Sequence, residues 1–119
     1  MKEEKKKYAL VTGGSRGIGR AICVQLAKDL DYHILINYNS NASAAEETLQ
    51  MVEEVGGNGE LIQFNVIDGE QVKNVLENWH EDHPNDVIEV VVNNAGITKD
   101  GLFMWMPKED WSKVIETSL

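Results

Sequence analysis

The sequence holds a single cysteine, Cys23, which excludes an internal disulfide, and its three histidines have no paired cysteines at zinc spacing. Both absences fit a reducing cytoplasm. No apolar run approaches the about 18 residues needed to span a bilayer, so a membrane-embedded chain is not expected. Residues 1–7 (MKEEKKK) interleave lysines with glutamates and have no apolar h-region behind them, so they read as a flexible solvated tail. They fit neither a secretion signal nor a lipid-binding patch. Cations are scarce overall: 11 Lys and Arg against 20 Asp and Glu give a net charge of −9, which repels phosphate backbones and argues against nucleic-acid binding. What is present is 119 residues, 42% of them hydrophobic, enough for one small domain with one core.

The apolar pattern alternates between two periods. Residues 8–12 (YALVT) form a short run, buried-strand in character, that stops at Gly13-Gly14. From residue 17 to 30, Ile18, Ala21, Ile22, Leu26 and Leu30 recur at helical spacing with Arg20, Gln25, Lys28 and Asp29 between them, predicting an amphipathic helix entered through glycines. A second strand over 33–37 (HILIN) leads to a helix over 44–55 that ends at Gly56-Gly57. A third strand over 61–66 precedes Asp68 and Gln71, spaced as a capping box for a third helix towards His80. Residues 87–92, rich in Val and Ile, suit a central parallel strand that stops at Asn93-Asn94-Ala95-Gly96. Strands alternating with helices imply right-handed β-α-β units, hence an α/β fold with a parallel sheet covered on both faces. Pro107 at a first helical position predicts one more helix through Trp111, Val114 and Ile115. No stop signal follows before Leu119, and four strands alone would leave the apolar 87–92 strand near an unpaired edge. Further sheet is therefore expected, from later chain or a partner.

Between the first strand and the first helix lies Thr12-Gly13-Gly14-Ser15-Arg16-Gly17-Ile18-Gly19. Glycines there allow a sharp turn, a close approach to a diphosphate and tight packing of helix on sheet, and the helix N-terminus points N–H groups at the phosphates. The spacing is G-x-x-x-G-x-G, not the generic dinucleotide fingerprint.

With Asn93-Asn94-Ala95-Gly96 after the fourth strand and the order of elements between, the sequence resembles the short-chain dehydrogenases/reductases, over about the first half of a typical member. The resemblance implies a Rossmann-type doubly wound parallel sheet, truncated after the fourth strand and following helix. Within the family, residues 94–102 and 111–117 look most like 3-oxoacyl-acyl-carrier-protein reductases, with acetoacetyl-CoA reductases a close alternative. This implies reduction of a 3-oxoacyl thioester and, at full length, a homotetramer. Residues 1–7 are expected to be the tail and 8–119 the nucleotide-binding portion. The implied cofactor-binding residues are Gly13, Ser15, Arg16, Gly17, Ile18 and Gly19 in the turn, Asn37, Tyr38, Asn39 and Ser40 after the second strand, Asn65 and Val66 after the third, and Asn93, Asn94, Ala95 and Gly96 after the fourth. Asn65 stands where the family has an Asp that binds the adenine amino group, and its carbonyl can accept that bond.

An acidic residue at the end of the second strand would bind the ribose hydroxyls of NADH and repel the extra phosphate of NADPH. Residues 37–41 (NYNSN) carry none, and Arg16 can bond a 2′-phosphate, so NADPH is expected over NADH. The family's proton donor, a Tyr with a Lys four residues later and an assisting Ser, has no match. Tyr8, Tyr32 and Tyr38 are followed at that spacing by Thr12, Ile36 and Ala42. Ser118 occupies the usual place of a relay Asn. No catalytic residue is assigned to the chain, and a non-catalytic NADP(H)-binding or regulatory module stays open beside the reductase. The apolar segment 102–106 reads either as the lip of an acyl site or subunit contact, or as packing under the last helix. Trp105, where many carrier-protein reductases have Arg, favours a CoA ester, because carrier proteins are acidic. Cys23 reads as a small core residue.

Overall fold

The computed structural model describes residues 6–15 and 17–94, and the backbone of 114–116. Strands β1 (Lys7–Val11), β2 (His33–Tyr38), β3 (Gly59–Gln63) and β4 (Val87–Asn93) alternate with helices α1 (Gly17–Asp29), α2 (Ala42–Glu54) and α3 (Gly69–Asp82), and β5 (Val114–Glu116) follows. Every pairing is parallel, in the order β3-β2-β1-β4-β5. From β1 the chain winds outward through β2 to β3, then crosses back to β4 on the other side of β1. This is a doubly wound sheet whose order reverses between β1 and β4, the place where such sheets open a ligand crevice at their carboxyl ends.

The pleat divides the core in two. Tyr8, Leu10, Leu35, Ile62, Phe64, Ile88 and Val91 pack against Val72, Leu76 and Trp79 of α3. Ala9, Val11, Ile34, Ile36, Val90 and Val92 pack against Cys23 and Ala27 of α1 and Ala45 and Val52 of α2. Successive residues of one strand thus serve opposite faces, as a two-residue side-chain period requires.

Several expectations need correction. The buried stripe of α1 is Gly19, Cys23 and Ala27, one position on from the bulkier stripe of the sequence pattern. Ile18 and Leu30 are 48% and 58% exposed, and Ile22 and Leu26 are only partly buried. Small residues win because they bring the helix axis close to the sheet. The β4 run is also not continuous: the register with β1 shifts between Tyr8 and Ala9, so Ile88 and Val90 take consecutive partners and Glu89 is the extra residue. Its carboxylate accepts from Tyr32 Oη at 2.9 Å.

The expected tail loses its last two residues to the sheet. Lys7 pairs with Val87, and Lys6 donates its N–H to Asp86 Oδ1. Half of the capping box forms: Asp68 Oδ1 accepts from Gln71 N at 3.1 Å, but the Gln71 side chain accepts from the N–H of Asn65 instead of returning to Asp68. Finally, 114–116 are not helical. They form β5 against Val91, Val92 and Asn93, because the open hydrogen-bonding edge of β4 gains more from a β-branched Val-Ile pair than these residues gain from helix. The rest of that expected helix, and the segment 102–106, lie outside the described residues.

Candidate functional site

Where β1 ends, the chain is held on both sides of the switch point. Thr12 donates its N–H (3.1 Å) and its hydroxyl (3.3 Å) to the carbonyl of Val92 in β4. On the other side Gly13 N donates to Asn37 Oδ1 at 3.0 Å and Gly14 N to the Asn37 carbonyl at 2.9 Å. Gly13 and Gly17 have φ of +64° and +63°. At Gly17 the left-handed turn lets the chain drop straight into α1, a conformation that any side chain would strain.

Gly19 is required for a different reason. A Cβ there would lie 2.1 Å from the Gly13 carbonyl oxygen and 2.8 Å from Asn94 Nδ2. The turn and the first turn of α1 are therefore in backbone contact, and the Asn94 side chain closes on them from the end of β4. Asn94 Nδ2 reaches the Gly13 carbonyl at 3.4 Å, while its Oδ1 is buried with no partner among the described residues. The first turn of α1 contains no acidic residue, so nothing offsets the positive end of its dipole. Its leading N–H groups have no acceptor within the helix. Together these features make a donor-rich cradle at the carboxyl edge of the sheet, of a chemistry that suits an anion.

The described residues among those singled out in the sequence lie at this edge with unequal freedom. Asn37 is 1% exposed, and its side chain is spent on structure: the oxygen holds Gly13, and the amide donates to the carbonyls of Ile62 and Phe64 at 3.3 and 3.2 Å. It braces the turn from behind and offers nothing outward. Tyr38 is half-buried, and Asn39 and Ser40 are exposed at the mouth. Asn65 Oδ1 already accepts from Ile67 N at 3.1 Å, leaving one lone pair for an adenine amino group. Val66 packs against the α3 core, and Asn93 is buried at the end of β4. Arg16, Ala95, Gly96, Trp105 and Ser118 lie outside the described residues.

The sequence reading missed Arg20, which it placed on the polar face of the helix. Its Nη2 donates to the carbonyls of Ser15 (2.7 Å) and Ala44 (3.0 Å), and its Nε donates to Thr48 Oγ1 at 2.9 Å. An ion pair with Glu47 at 3.3 Å completes the set. Thr48 Oγ1 donates in turn to the Ser15 carbonyl at 2.9 Å. The available signal was the company Arg20 keeps, since a guanidinium facing Ala44 and Thr48 meets a backbone carbonyl that a bulkier side chain would cover.

Neither Tyr8 nor Tyr32 is set up as a proton donor. Tyr8 Oη donates to Glu60 Oε2 at 2.8 Å and Tyr32 Oη donates to Glu89. Burial first, and then the adjacent carboxylate, push both phenols up from their ordinary value, the wrong direction for donating a proton at neutral pH. A cavity of about 600 Å³ lined by Lys6, His33, Asp82, His83 and Asp86 lies at the amino end of the strands, away from the glycine turn.

Comparison with known proteins agrees with this geometry. The profile of the family described as short chain dehydrogenase matches residues 7–119. The chain belongs to that family. Among curated short-chain dehydrogenases, a 3-oxoacyl-[acyl-carrier-protein] reductase of Staphylococcus epidermidis is 42% identical over 113 residues, covering 95% of this chain and 45% of that protein. The Escherichia coli reductase of the same name is 40% identical, covering 95% of this chain and 43% of that protein. The chain thus spans less than half the length of these relatives. A reductase that catalyses keto-reduction at C1 in lugdunomycin biosynthesis superposes with a TM-score of 0.65 at 35% identity, over 79% of this chain and 38% of that one. A Burkholderia cenocepacia dehydrogenase with bound NADP shares the fold, with a TM-score of 0.64 at 21% identity over 85% and 42% of the two chains.

Proposed function

We propose that this chain is the nucleotide-binding half of an NADPH-dependent reductase of 3-oxoacyl thioesters. The carrying observation is the cradle at the switch point, where the lack of a side chain at Gly19 lets the Gly13 carbonyl and Asn94 close against the first turn of α1. NADPH, when bound, supplies the hydride. The chain's own residues hold and orient it: the start of α1 faces the diphosphate, 38–41 face the ribose, and the remaining lone pair of Asn65 Oδ1 takes the adenine amino group. The absence of a carboxylate over residues 37–41, together with Arg16, supports NADPH over NADH. The carrier-protein thioester follows from the names of the relatives, and acetoacetyl-CoA is the alternative that Trp105 favours. Assembly as a homotetramer in the cytoplasm belongs to the same proposal.

A second reading, a non-catalytic NADP(H)-binding module, is favoured by one observation: no Tyr in the chain has a Lys four residues later. Titrating the native protein with NADPH and NADH, and then assaying 3-oxoacyl thioester turnover, separates the two. Binding with turnover supports the reductase, and binding without it supports the module. Arg16→Ala should narrow the preference for NADPH over NADH by about tenfold, the worth of one charge-assisted bond. An unchanged ratio removes Arg16 from cofactor selection.

A further inference from the structure

We infer that Arg20 is a positioning residue that fixes the spacing between two parts of the nucleotide site, an inference that rests on the nucleotide reading above. Arg20 lies in the opening of α1 and points towards α2, away from the sheet core. One nitrogen, Nη2, bonds both the Ser15 carbonyl in the glycine turn and the Ala44 carbonyl in the first turn of α2. Ala44 belongs to the turn capped by Asn41, whose Oδ1 accepts from Ala44 N at 3.0 Å. Asn41 closes the 38–41 segment assigned to the ribose. A single guanidinium therefore ties the diphosphate turn to the ribose segment, two stretches that the sequence separates by a whole helix and strand.

The tie is well made. The Arg20 side chain is only 24% exposed, and the Glu47 carboxylate holds it in place at 3.3 Å. Thr48 supplies a second donor to the Ser15 carbonyl. A hydroxyl has one proton to give, and the 2.9 Å contact to Ser15 is shorter than the 3.4 Å contact to Ala44, so the Ser15 carbonyl is held from two sides. Oriented this way, its negative end is neutralised inside the α1–α2 junction and is not free to turn towards a phosphate. Lysine replaces this fork only in part, because an ammonium keeps the charge and a donor but lacks the planar set that reaches Thr48 and two carbonyls together.

A ligand that bridges both parts gains affinity only while their separation is held, whereas a ligand confined to one part does not. In the native protein Arg20→Ala should weaken NADPH by about tenfold or more while leaving adenosine, which carries no phosphate to reach the glycine turn, within about twofold. Arg20→Lys should fall between wild type and Arg20→Ala. Calorimetry with both ligands, beside a melting curve for each variant, reads the effect. NADPH binding unchanged by Arg20→Ala overturns the inference and leaves the nucleotide reading intact. Equal weakening of NADPH and adenosine, or the same loss in Arg20→Lys as in Arg20→Ala, also overturns it, because a general loosening of the fold would then suffice. Wild-type protein that binds no dinucleotide overturns the nucleotide reading and this inference with it.

Discussion

Replacing Gly19 by Ala adds one methyl group at the most crowded point of the site. The new Cβ would stand 2.1 Å from the Gly13 carbonyl oxygen, about 1 Å inside the shortest contact real Cβ atoms make. Neither obstacle yields cheaply: Gly13 is held by Asn37, and Asn94 Nδ2 is itself bonded to the Gly13 carbonyl. If α1 lifts off the sheet, Cys23 and Ala27 lose close contact and the fold is destabilised by about 3 kcal/mol, at the upper end for overpacking. That is roughly a hundredfold in the folding equilibrium, against a total stability of about 5–15 kcal/mol. If the turn moves instead, stability is spared and NADPH affinity falls by about the same factor, because the cradle opens. Gly17→Ala is the control, with φ of +63° but no atom within 4 Å of the new Cβ. It should cost about 1 kcal/mol of backbone strain and no clash. Urea unfolding and NADPH titration of the native protein and both variants read the two quantities. If Gly19→Ala matches Gly17→Ala in both, the packing argument is wrong.

Asn37→Asp should destabilise by about 3 kcal/mol, since it exchanges a buried amide donor for a carboxylate facing the Ile62 and Phe64 carbonyls. The loss should be smaller at pH 5 than at pH 8, because burial favours the protonated acid; equal losses at both pH values would contradict this. Burial pushes the Cys23 thiol up from 9.0 to about 12. Below pH 9 both folded and unfolded thiols keep their proton, and above it the unfolded chain loses its proton first. Stability should therefore fall by at most about 1.4 kcal/mol per pH unit between pH 9 and 12, an effect absent in Cys23→Ala. A thiol reagent at pH 8 should likewise modify Cys23 only at the rate of unfolding, and rapid modification of the folded protein would refute its burial.

Local chemistry made most of the fold legible. Buried strands and glycine-terminated helices announce themselves through short-range pattern, so four strands, three helices and the glycine turn between β1 and α1 are legible in the sequence alone. The places where the pattern misled are those where a neighbour decides. Ile18, Ile22 and Leu26 mark an apolar stripe, yet Gly19, Cys23 and Ala27 face the sheet, because close approach rewards small side chains over greasy ones. Residues 87–92 suit a regular central strand, and only the register with β1 makes Glu89 a bulge.

The site divides in the same way. The sequence by itself determined that backbone amides and a helix N-terminus gather at the end of β1, because glycine at 13, 17 and 19 has no comparable use elsewhere. Tertiary structure decided which side chains remain free to act there. It spends Asn37 on bracing the turn, occupies one lone pair of Asn65, leaves Asn94 Oδ1 open, and turns Arg20 from a surface cation into the tie between α1 and α2. Asn37 acts on Gly13 and Arg20 on Ala44, each across 24 residues of sequence, and hydrogen-bond competition across that distance leaves no periodicity for a sequence to display.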